Sequence, residues 1–281
     1  MNFKKIANVI LGSVLVFSSI QISMKLIDYK RSEKLYTEIQ EIVATEEKGT
    51  AVTPLSTYEK LKKINPEYQF WIEVENTNIS YPVVQAMDNS FYLKKDFNKN
   101  DSSAGTIFMD ALNNFEIDNN TVLYGHNMKN KTMFNNIMLF KKSDFFKQNN
   151  KIKIKHTGDG KEYTYEVFSA YHSDNTFDYN TVRFGESYSF MNFIEDIKKK
   201  SIFKKDMEIL ETDKIITLST CSYEFRGAKT TIHAKLIDTQ YLNPEKQKEA
   251  EEKKQAELKK QEEEKMLQKS QNEIEQMVDF A

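Results

Sequence analysis

Nineteen consecutive residues without a charge, 6–24 (IANVILGSVLVFSSIQISM), constrain this chain more than any other segment. At about 1.5 Å of rise per residue, a helix of this length approaches the thickness of a bilayer's hydrocarbon core. Lys4 and Lys5, with the amino terminus, favour a cytoplasmic N-terminal end, while Lys25, Lys30 and Arg31 on the other flank pull the opposite way. The reading is a single-pass anchor at the cell membrane, N-terminus in and C-terminus out, which puts the rest of the chain outside the cell. A cleaved signal peptide is the competing reading, but the apolar run is long for one and no clear A-x-A-like site follows it.

Beyond the anchor the composition is that of a soluble domain. The chain is 39% hydrophobic and 12% aromatic, and its net charge of -2 gives no electrostatic case for nucleic-acid binding. It has a single cysteine, Cys221, so an exported domain gains nothing from internal disulfides and must build a full apolar core.

Residues 26–48 read as a helix, with Leu35, Ile39, Ile42 and Val43 at helical spacing among Glu and Lys. Short β-rich runs follow at 68–74, 79–84, 106–108, 121–124, 151–155, 163–167, 215–218 and 230–236. Many short strands imply a barrel or a sandwich. Two helical inserts interrupt them, 133–147, rich in Phe and Met, and 187–200, where Phe190, Phe193 and Ile197 form an apolar stripe. From Pro244 onward the chain turns to Glu, Lys and Gln without sustained heptads, which reads as a charged helical or disordered tail. The organisation is therefore a cytoplasmic end and anchor at 1–25, a linker helix at 26–50, a folded domain at 51–243 and a tail at 244–281.

A lone thiol is either inert packing or chemically employed, and residue type alone favours packing. A thiolate needs a neighbouring imidazole or cation. The histidines are His126 in the turn after a β-rich run, His156 in a polar turn, His172 at the start of a loop and His233 inside a strand. Gly125 before His126 reads as permitting a tight turn. Neither CxxC nor HExxH occurs, so no metal site is expected.

Several ordered motifs carry a resemblance. TLSTC at 217–221, then SYEF and TTIHAKLI at 230–237, resembles the catalytic strand and its partner in sortases, the membrane-anchored cysteine transpeptidases of Gram-positive bacteria. YGHNM at 124–128, with Met133 and Phe134 downstream, is similar to their histidine motif. Asn65-Pro66 through Trp71-Ile72, residues 79–85, Tyr92-Leu93, residues 105–110 and the insert at 187–200 resemble the class B branch. The likeness covers residues from about 30 to 240.

The resemblance implies a mostly β fold, an eight-stranded sortase-type β-barrel with an N-terminal helix and helical inserts, and no cofactor. It also implies that Cys221 attacks a Thr-Gly or similar bond in the C-terminal sorting signal of a surface protein, forming a thioester. His126 is then the general acid for the leaving amine and the base for an acceptor amine from a peptidoglycan precursor or wall peptide. The family also uses an arginine on the strand after the cysteine loop, to hold a substrate carbonyl or oxyanion. The matching position here is Lys229, which keeps the charge and loses the planar fork, while Arg226 in the preceding loop offers a guanidinium. Ser219 and Thr220 beside the cysteine read as substrate contacts or as structural strand residues. Two other functions fit the same residues: a pilin polymerase that uses a lysine amine, and an inactive sortase-like scaffold whose tail binds a partner.

Overall fold

The structure, a computed structural model, describes residues 3–47, 56–148, 150–173, 177–221 and 228–241, with Lys248, Glu252 and Met266 of the tail. The segments expected as anchor and linker form one helix, α1 (Phe3–Glu47), with no break between residues 25 and 26. Its first part is apolar and exposed, from Ile10 and Leu11 through Phe17 to Leu26 and Ile27, a surface that suits lipid and not water. Its last turns change character. Tyr36, Ile39 and Val43, three and four residues apart, are buried against the domain.

A second helix, α2 (Thr57–Ile64), starts at a capping box in which Ser56 and Glu59 each satisfy the other's backbone amide. The S-x-x-E signature was readable in the sequence, although the expected run of short strands passes over it.

Eight strands follow: β1 (Tyr68–Val74), β2 (Ser80–Val84), β3 (Ile107–Met109), β4 (Asn120–Tyr124), β5 (Lys151–Lys155), β6 (Lys161–Ser173), β7 (Ile215–Cys221) and β8 (Lys229–Tyr241). They close a barrel in the order β1-β2-β3-β4-β7-β8-β6-β5, with β5 pairing back onto β1. Closure leaves the sheet without free edges, and each strand's apolar face fills the interior. Two neighbouring pairs are parallel, β2 with β3 and β4 with β7, so each needs a crossover in place of a hairpin. The first crossover, 85–106, contains a 3₁₀ turn, Phe91–Leu93.

The insert expected at 133–147 is two pieces, a 3₁₀ helix Phe134–Lys141 and α3 (Ser143–Lys147), because Lys142 is extended between them. The second insert is α4 (Phe190–Lys200), capped by Ser189, whose hydroxyl accepts from the Asn192 amide. Phe190, Phe193, Ile194 and Ile197 of α4 join Phe168, Tyr171, Tyr179 and Ile215 in a core separate from the barrel interior. The charged tail lies outside the described residues except for Lys248, Glu252 and Met266, each of which is helical.

Candidate active site

Strand register builds the site. In the parallel pair of β4 and β7, Tyr124 stands beside Ser219 and the Gly125 amide donates to the Ser219 carbonyl at 3.2 Å. His126 lies two residues past Tyr124, and Cys221 lies two residues past Ser219, so their backbones reach the same end of the sheet. On the other side of β7, antiparallel pairing sets Cys221 opposite Lys229 and Thr220 opposite Thr230. Cys221 thus stands between the histidine's strand and the lysine's strand.

The loop that carries His126 is closed by backbone bonds. The Phe134 amide donates to the His126 carbonyl at 3.0 Å, and Asn127 pairs with Met133. Gly125 serves this loop differently from the expected turn. Its φ is not positive, and a Cβ there would lie 2.7 Å from the buried ring of Phe134. Glycine is needed so that this ring can pack against the strand end, and a fully buried Phe contributes about 1.5–3 kcal/mol.

His126 is half-buried, and its Nε2 lies 2.7 Å from the carbonyl oxygen of Leu93. A carbonyl only accepts, so Nε2 carries a proton and Nδ1 is the nitrogen left to exchange one. The turn holding Leu93 is itself fixed. Asp88 accepts from the amides of Ser90 and Phe91, and the Thr106 amide donates to the Tyr92 carbonyl at 3.0 Å. Gly105, at φ +62, passes so close beneath that a Cβ would stand 2.5 Å from the Tyr92 carbonyl oxygen and 3.1 Å from that of Leu93.

A groove of about 320 Å³ opens at this sheet end, bordered by Asn89, Leu93, Tyr124, His126, Tyr179, Asn180, Ser219, Thr220 and Lys229. The Lys229 ammonium lies 5.2 Å from the centre of the Tyr179 ring, a cation–π contact worth about 0.5–1 kcal/mol where water still reaches it. The Ser219 hydroxyl donates to the Tyr179 hydroxyl at 3.0 Å, so that serine is committed to the tyrosine. Thr220 borders the groove, and its Oγ1 is buried with no hydrogen-bond partner among the described residues. Tyr124 donates to the Asp110 carboxylate at 2.8 Å; burial, then that carboxylate, pushes its phenol above the usual range.

The remaining histidines sit elsewhere. His156 is buried at the β5–β6 turn, His172 is exposed near the end of β6, and His233 is fully buried beneath α4. Of the four, His126 alone lines the groove. Lys229 borders the groove, and Arg226 lies outside the described residues. Leu93 enters through its backbone carbonyl, which no side-chain pattern announces. Tyr179 and Asn180 come from the stretch between β6 and α4, where the aromatic and polar run 177–183 was the available signal.

The Sortase domain family model matches residues 72–237, more than half of the chain. Sortase B of Staphylococcus aureus is 30% identical over 244 residues, spanning 84% of this chain and 97% of its own length. The crystal structure of Clostridium perfringens sortase B is similar with a TM-score of 0.61 and 42% identity, over 64% of this chain and 98% of that one. A Staphylococcus aureus sortase B–substrate complex has a TM-score of 0.67 at 29% identity, over 77% of this chain and 100% of that one. With a closed eight-stranded barrel, a matching family model and relatives aligned over nearly their full length, the chain belongs to the sortase family, as a class B-like cysteine transpeptidase.

Proposed function

We propose that this chain is held in the membrane by α1 and transfers surface proteins to a cell-wall peptide amine through a thioester on Cys221. The observation that carries the reading is the register at one sheet end, which sets Cys221 between the His126 loop and Lys229. The cysteine sulfur attacks the carbonyl carbon of the scissile bond in a C-terminal sorting signal, and the carbon–nitrogen bond breaks. The leaving amine takes a proton from His126 at Nδ1, while Nε2 stays on the Leu93 carbonyl. An acceptor amine then attacks the thioester, gives its proton to His126, and releases the sulfur. Thiolate and imidazolium must coexist, so the two groups titrate as a pair.

Lys229 supplies positive charge toward the developing oxyanion, steadied by the Tyr179 ring. Thr220, which borders the groove, is a substrate contact, and Ser219 acts through Tyr179. The domain boundaries at 25, 50 and 243 follow: anchor, linker, catalytic domain outside the cell, and tail. A relative solved as a substrate complex at high coverage supports a peptide-binding groove of this kind.

The test is incubation of the anchor-free domain with a panel of sorting-signal peptides, followed by mass spectrometry for an acyl adduct on Cys221. Addition of glycyl peptides or of a lysine-bearing pilin segment then identifies the acceptor from the product mass. A folded protein that forms neither adduct nor cleavage product across the panel removes the enzymatic reading and leaves the scaffold.

A further inference from the structure

The contacts between α1 and the domain form a ruler measured from the apolar end of the helix. Met24, Leu26 and Ile27 are the last large exposed apolar residues, and the next residue, Asp28, already touches the domain by accepting from the Ser103 amide at 3.0 Å and from its hydroxyl. One turn on, Ser32 and Ser102 share a hydrogen bond of 2.9 Å; a turn later Tyr36 donates to the Gly105 carbonyl at 2.7 Å. Only further along does Gln40 donate to the Ser80 carbonyl at 2.8 Å, and Val43 and Ala44 border a groove with Glu73 and Asn78. Asp28 and Val43 are about 22 Å apart along the helix axis.

The turn 101–106 is therefore the end of the domain nearest the apolar stretch, and the loop at 75–79 is the far end. The active-site groove belongs to the near end. Asp28, Leu93, Lys94, Ser103 and His126 surround one cavity, of about 650 Å³, and Leu93 and His126 border the catalytic groove as well. Charge at this end is on balance positive. Lys25, Lys30, Arg31 and Lys94 are exposed and make no ion pair among the described residues, Asp101 is paired with Lys95, and the carboxylates that remain beside them are Asp28 and Glu33.

We propose that this end of the domain seats on the surface of an anionic phospholipid leaflet, with Lys25, Lys30, Arg31 and Lys94 at the headgroups and the catalytic groove opening along the membrane face. The surface of such a leaflet attracts each nearby cation by about 1 kcal/mol, so three cations on α1 and Lys94 on the domain packed against it together hold this end down where the apolar stretch alone would leave it free to tilt. The inference rests on the reading of α1 as an anchor.

The experiment uses the full chain in vesicles that carry a headgroup-nitroxide lipid. In a Cys221→Ser background, a single fluorophore is attached at Asn100→Cys, exposed beside the turn 101–106 and outside the four cations, at Asn78→Cys on the far end, or at Leu15→Cys inside the apolar stretch. With phosphatidylglycerol present, quenching at position 100 is expected to exceed that at 78 about threefold, since the two ends stand about 22 Å apart along the helix. In phosphatidylcholine alone the excess at 100 should fall by about half or more as the charge attraction is removed. Equal or greater quenching at 78, or an excess at 100 indifferent to lipid charge, overturns the proposal while quenching at Leu15→Cys keeps the anchor. No quenching at Leu15→Cys fails the anchor reading itself, and the proposal with it.

Discussion

His126 and His233 flank the same strand, one just past β4 and the other within β8, and they have opposite surroundings. His233 is fully buried, stacked on Tyr171 at 5.5 Å and met edge-on by Phe193. Its two ring nitrogens are both engaged, Nε2 with the Tyr171 hydroxyl at 2.9 Å and Nδ1 with Thr217 Oγ1 at 2.8 Å. Because Thr217 spends its own proton on Asn120 Oδ1, it accepts from Nδ1–H, and Tyr171 donates to Nε2. Every proton in this series has a fixed address, and burial holds the imidazole neutral, with its pKa lowered to about 3. His126 has one fixed bond, to the Leu93 carbonyl, and a groove on its other side. A histidine with no spare nitrogen stabilises a core, and one with a spare nitrogen can move a proton.

Cys221, on the strand between them, carries the largest expected effect. Cys221→Ala should lower peptide turnover by at least about 10³-fold, with an unchanged melting temperature; activity within tenfold of the parent would move the chemistry away from β7. His126→Ala should cost about 10²–10⁴-fold in turnover and leave stability within about 0.5 kcal/mol. His233→Ala should do the reverse, destabilising by about 2–4 kcal/mol while the folded fraction keeps its specific activity, as measured by denaturant titration beside a peptide assay. If both variants lose activity at full stability, the distinction between the two histidines is wrong.

Lys229→Ala should reduce turnover on the order of 10²-fold and exceed the effect of Arg226→Ala, with Lys229→Arg recovering much of the loss; the opposite ranking transfers the role to Arg226. The pH dependence sharpens the other half. His233 binds a proton near pH 6.5 when unfolded and only near 3 when folded, so protonation favours the unfolded chain. Its contribution is complete above about pH 6.5 and is lost as pH falls, by up to about 1.4 kcal/mol per pH unit. His233→Gln should flatten that limb in acid melts. Smallest of all, truncation after Asn243 should leave peptide cleavage within twofold of the parent, about 0.4 kcal/mol in transition-state terms.

All eight strands were legible from β-rich runs bounded by turn residues, and β1 and β5 to the residue. The long pair was not. β6 and β8 run 13 residues each: β8 continues past its apolar centre through the exposed Asp238, Thr239 and Gln240, which pairing with β6 holds, and β6 continues to Ser173 along a mostly buried stretch whose Ser169, His172 and Ser173 interrupt the apolar run. The anchor and the linker were both readable as helical, but their joining into one helix was not, since the apolar pattern changes at Lys25 while the backbone does not. Of the site, Cys221 and His126 followed from motifs, and strand register brings them to one end. The Leu93 carbonyl and the Tyr179 ring under Lys229 depend on two crossovers whose paths no local pattern encodes.

The length of β8 has a consequence for whatever the tail binds. The strand begins at Lys229 beside the site and ends at Tyr241 opposite Lys161 on the far side of the barrel, about 40 Å away at 3.3 Å per residue. A bulky cargo fused directly behind Tyr241 would hang from the back of the enzyme, so Tyr241 is the point at which to tether, label or immobilise while the groove stays clear.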